Sequence, residues 1–87
     1  MPADEPQFIC PRRGDRFIAY PDEGPKGRLY VEVTRVARDG SWADIRVCNC
    51  YVMWTKRQQL PLPMVQPYPW TMADIDRQHE EWTALDA

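Results

Sequence analysis

The chain has 87 residues, 44% of them hydrophobic and 11% aromatic, and a formal net charge of -2. That length suits one small domain, the composition is too apolar for disorder, and the charge supplies no overall basic field to recruit nucleic acid or membrane. No stretch approaches the roughly 18 apolar residues of a membrane span, and the start MPADEPQFICPRR, acidic first and without an apolar run, does not read as a secretory signal.

Seven of the nine prolines gather at the ends, with Pro2, Pro6 and Pro11 before the apolar centre and Pro61, Pro63, Pro67 and Pro69 after it. Between Gly27 and Leu60 there is none, and that gap is where a sheet can form, because proline cannot donate to a central ladder. Arginine outnumbers lysine 9 to 2, a codon signature of a GC-rich genome that, with the small size, suggests a bacterial or bacteriophage origin. The three cysteines, Cys10, Cys48 and Cys50, are odd in number and point to a reducing, cytoplasmic setting.

In chain order, residues 1–11 read as an N-terminal arm. After Gly14-Asp15, Arg16–Tyr20 has strand character, and Pro21–Gly27 (PDEGPKG) is a loop by composition. The two strongest strands, Leu29–Ala37 and Trp42–Cys48, meet at a two-residue Asp39-Gly40 hairpin turn. Continuing that register without interruption puts Val33 opposite Arg46 and mixes apolar with charged residues on both faces. One extra residue at Thr34-Arg35 repairs it, so a β-bulge is expected there. Val31, Val33, Val36, Ala43, Ile45 and Val47 then share one inner face, and Glu32 opposes Arg46 on the other. Asn49-Cys50 is expected to form a second tight turn, because Asn tolerates positive φ. That turn places Val52 opposite Val47 and Trp54 opposite Ile45. The third strand should run from Tyr51 to about Arg57, with an irregular or 3₁₀ turn at Lys56–Leu60 and a short edge strand at Leu62–Val65. Short bent strands, a bulge and a meander resemble an SH3-like small barrel of about five antiparallel strands, covering 12–65. The resemblance is one of fold shape and carries no diagnostic motif.

Residues 66–70 read as a proline-rich linker and 71–87 as a C-terminal helix. Thr71 is its N-cap, with Asp74 three positions on as a capping-box partner. Met72, Ile75, His79 and Trp82 form a narrow stripe expected to dock on the sheet. Charge is uneven: residues 12–57 carry a net +4, against a net -4 for 71–87 and -2 for the first ten.

Four chemistries can be weighed on these residues. A Cys₃His zinc site would need Cys10, Cys48, Cys50 and His79, but the Cys-x-Cys spacing is not the usual one and His79 is already explained as a stripe residue, so neither a metal nor another cofactor is expected. With a single histidine, no phosphate-binding glycine loop and no paired carboxylates in an apolar setting, an enzyme is not expected either. A barrel with Arg12, Arg13, Arg16, Arg28, Arg35, Arg38, Arg46, Lys56 and Arg57 could bind nucleic acid, yet Glu32 and Asp44 stand across from arginines and neutralise them in pairs. The reading preferred on sequence is a small accessory factor that binds a protein partner, or itself, through outer aromatic and arginine residues: Trp42, Tyr30, Tyr51, Trp70, Arg35 and Arg38.

Overall fold

The computed structural model describes residues 7–9, 11–60, 62–64 and 67–86, and the chain is mainly β. The strands are β1 (Gln7–Ile9), β2 (Arg16–Ala19), β3 (Leu29–Val36), β4 (Trp42–Asn49), β5 (Val52–Gln59) and β6 (Leu62–Met64). β2 to β5 form one antiparallel sheet in the order β2-β3-β4-β5, and β1 pairs with β6 as a separate two-stranded sheet. Among the described residues the four-stranded sheet is open, with β2 and β5 as its outer strands, so the closed five-strand barrel expected from sequence is not what these residues form.

The inner face follows the hydrophobic register. Val31 opposes Val47, Val33 opposes Ile45 and Val36 opposes Ala43, with the register shift between Val33 and Arg35. The expected bulge is therefore present. Thr34 lies unpaired in the ladder, and its hydroxyl donates to the Asp44 carbonyl at 3.1 Å, recovering an acceptor that the bulge would otherwise strand. Phe17, Val31, Val33, Ala43, Ile45 and Val47 make the core of this face, with Leu60 and Val36 at its margin. Burying each large aliphatic side chain here stabilises the fold by roughly 1.5–3 kcal/mol.

Three connections differ from expectation. The β3–β4 link is a four-residue loop: Ala37 N donates to Trp42 O, and Gly40 N donates back to Ala37 O. Gly40 takes φ 74, and Asp39 accepts from Ser41 N, so the Asp-Gly signal placed the turn correctly but underestimated its length. Residues 21–27 are short helical turns, a 3₁₀ turn at Pro21–Glu23 followed by α1 (Gly24–Gly27). β5 continues in register to Gln59, opposite Trp42, where an irregular turn was expected from Lys56.

The C-terminal helix α2 (Met72–Leu85) lies within the expected 71–87 span and starts at the expected Thr71/Asp74 capping box. It packs in cis on the face opposite the valine core, where Tyr30, Cys48, Trp70 and Ile75 form a second buried cluster. The chain reaches it along β2: Pro67 bridges to Phe17, Tyr68 N donates to Arg16 O, and Trp70 Nε1 donates to Val31 O at 2.9 Å. No helix of the described residues is long and apolar enough to cross a membrane.

Candidate functional site

The docking face of α2 follows only part of the stripe read from hydrophobicity: Ile75 and Trp82 turn inward, Met72 and His79 do not. Met72 is exposed and His79 lies at the surface, whereas Ile75 and Gln78 are buried, Gln78 to 0% exposure. The Gln78 amide explains this. Its Nε2 donates to the Pro25 and Arg28 carbonyls at 2.8 and 2.9 Å and more weakly to Asn49 Oδ1, while its Oε1 accepts from Cys50 N at 2.8 Å. One polar side chain thus ties α2 to α1, to the start of β3 and to the β4–β5 turn, satisfying main-chain groups that would be costly to bury alone.

That turn is Cys50-Tyr51, one residue later than expected, with φ of 48 and 73. Two successive non-glycine residues in the left-handed region cost on the order of 1–3 kcal/mol each. Contacts from α2 offset that strain. Gln78 holds Cys50 N, Cys50 Sγ lies 3.3 Å from His79 Nδ1, the Tyr51 hydroxyl donates to Asp76, and the Tyr51 and His79 rings pack 5.0 Å apart. The hydrogen bond to Asp76 pushes the Tyr51 phenol up to about 12. The shift of the turn slides β5 by two residues, so Trp54 opposes Val47 and Val52 opposes Asn49. A slide of two keeps each side chain on its expected face.

Beyond the turn nothing among the described residues covers β5. Tyr51, Val52 (64% exposed), Met53 and Trp54 (39%) are consecutive and open. The outer side of β5 has no strand beside it in the four-stranded sheet. Such an uncovered apolar edge is the usual template for pairing with another chain.

Of the residues singled out from sequence, the structure brings some together and separates others. Tyr30 (3% exposed) and Trp70 (7%) pack edge to face with ring centroids 5.7 Å apart inside the second core, so they are structural and not part of an outer surface. Their large apolar rings were surplus only on the inner face, because a second core on the opposite face was not foreseen. Trp42 stays half-buried, with the guanidinium of Arg57 3.6 Å and that of Arg35 5.6 Å from its ring centre. Asp44 accepts from Arg57 Nε at 2.9 Å, and that pairing holds the Asp44 carboxyl below its usual range. Arg38 is exposed in the β3–β4 loop. On the same face Glu32 bridges Arg46 at 3.5 Å, the cross-strand pair expected from sequence, and also Arg16 of β2 at 3.0 Å, which the sequence did not indicate.

Cys10 lies outside the described residues. Cys48 is buried beside Tyr30, and burial pushes its thiol up, while Cys50 sits in the turn against His79. Among the described residues no three His, Cys, Asp or Glu side chains converge to hold a metal ion. A cleft of about 270 Å³ lies between Gly14–Arg16 and Pro67–Pro69. Its charged groups are engaged elsewhere: Asp15 accepts from Arg12 N, and Arg16 binds Glu32 and the Trp70 carbonyl. Sequence reasoning missed Gln78 and the β5 surface. The available signal for Gln78 was its place between Ile75 and Trp82 at helical spacing, which a hydrophobicity count passes over.

No protein-family model, curated protein or solved structure matches the chain.

Proposed function

We propose that the chain is a small non-catalytic protein-interaction module whose working surface is the β5 edge and the aromatic and arginine residues around it. The observation that carries this reading is the run Tyr51–Trp54, four consecutive exposed side chains at the turn and the start of an outer strand. Trp42 with Arg35 and Arg57 on the helix-bearing face, and Arg38 at the sheet's end, supply the residue types that anchor interfaces. The finer relation to SH3-like barrels draws support from the bulged meander and from the return of the chain at Pro67–Tyr68 to the outer side of β2, the route a last barrel strand takes.

Affinity capture with the full chain, run beside Val52→Lys and Trp54→Ala, tests the reading. Both positions are exposed, so the fold should survive. The expected result is a defined protein retained by the native chain and lost with both variants. Identical captures from all three would overturn it. So would retardation of DNA or RNA that weakens steeply with salt, since that would transfer the function to the arginine-bearing face.

A further inference from the structure

We infer that the occupant of the β5 edge is a second copy of this chain, paired antiparallel to the first through β5 about a two-fold axis at Thr55. The inference rests on reading β5 as a protein-binding edge and names the partner. β5 is eight residues long, which offers an edge of about 27 Å. The two-residue Cys50-Tyr51 turn makes Asn49 and Val52 the hydrogen-bonded pair that closes the hairpin. Alternation then turns the main-chain groups of Met53, Thr55, Arg57 and Gln59 away from β4. Among the described residues no strand pairs with those groups, and an identical strand can complete the ladder.

The side chains select the direction. β5 is apolar at its start (Val52-Met53-Trp54) and basic further on (Lys56-Arg57). Parallel, in-register pairing would stack Lys56 on Lys56 and Arg57 on Arg57, which is destabilising. Antiparallel pairing about Thr55 instead places Trp54 opposite the partner's Lys56 and Met53 opposite the partner's Arg57. The Trp54 ring then meets a lysine stem and ammonium, a favourable cross-strand contact. The acidic helix completes the match. Asp76 and Glu80 stand beside Tyr51, at the beginning of β5. The two-fold carries the basic end of each copy toward the end of the other where these carboxylates lie.

Sedimentation velocity on the full chain from about 1 to about 500 µM tests this, since an interface of one strand pair should dissociate in the micromolar range. The expected result is a concentration-dependent rise to twice the monomer mass. Thr55→Pro should hold the chain monomeric with an unchanged circular dichroism spectrum, because the Thr55 N–H points away from β4. Trp54→Lys, which sets lysine against the partner's Lys56, should do the same and covers the case in which the proline variant fails to fold. In a Cys10→Ser, Cys50→Ser background, Thr55→Cys should form a disulfide-linked dimer with oxidised glutathione, because opposed residues of a hydrogen-bonded pair lie about 5.5 Å apart. A monomer at every concentration, or a dimer that survives Trp54→Lys and does not cross-link at Thr55→Cys, would overturn the proposal. If the chain is monomeric yet captures a protein that Val52→Lys loses, self-pairing fails and the interaction-module reading stands.

Discussion

Replacing Gln78 with alanine should destabilise the fold by about 3 kcal/mol. The amide is wholly buried and serves three main-chain groups at short range: the Pro25 and Arg28 carbonyls and Cys50 N–H. Each of these, left without a partner in a partly buried setting, costs about 1 kcal/mol, because water recovers some of the lost bonding. A domain of 87 residues commands in total about 4–13 kcal/mol, so the loss is a large share of it. Urea unfolding followed by tryptophan fluorescence should show the midpoint falling by about 2–3 M at unchanged slope. Gln78→Glu sharpens the test. Its carboxylate keeps the acceptor for Cys50 N–H but turns negative charge on two carbonyls, so burial raises its pKa in the folded state. A raised carboxyl favours the protonated form, whose contribution is complete below the unfolded value and lost as pH rises through the folded one. The glutamate variant should therefore regain stability on acidification from pH 7 toward about 5, where the protonated acid can again donate. A loss below about 0.5 kcal/mol for Gln78→Ala, or no acid recovery for Gln78→Glu, would refute the assignment of α2 docking to this amide.

Three further outcomes are expected. Tyr51, with its phenol pushed up to about 12, should be the last tyrosine to ionise in an ultraviolet titration, and Tyr51→Phe should remove that step. Because the folded value is raised, the stability this phenol contributes is complete below about 10 and fades as pH climbs to about 12, so the phenylalanine variant should lose less stability across that window. Asp44 is shifted the other way by Arg57: its contribution is present above its unfolded value and disappears as pH falls through the folded one. Asp44→Asn should accordingly flatten the acid limb of the stability curve, as measured by thermal melts in acid. Mass-mapped alkylation of the native protein should label Cys50 and spare Cys48, whose thiol burial pushes up; equal labelling would contradict the second core.

Much of the β-architecture was legible because it depends on patterns a linear sequence carries. The valine alternation, read against the charges at Glu32 and Arg46, demanded an insertion at Thr34-Arg35, and the ladder has it there. Thr71 and Asp74 announced the start of α2 by local hydrogen bonding alone. The charges opposed across β3 and β4 likewise became the Glu32–Arg46 ion pair.

What the sequence by itself determined, then, were features whose energy is local or periodic: the inner face of the meander, the bulge, the helix span and its cap. What only the tertiary structure decided were features set by contacts between segments far apart in the chain. Asn49 is the better residue for positive φ, yet the turn sits on Cys50 and Tyr51 because α2 supplies Gln78, Asp76 and His79 to hold them there. Tyr30 and Trp70 looked like surface aromatics until the helix closed a second core over them. Among the described residues Val52–Trp54 stay open, because the contacts of that helix stop at the turn, leaving the β5 edge as the surface from which function is argued.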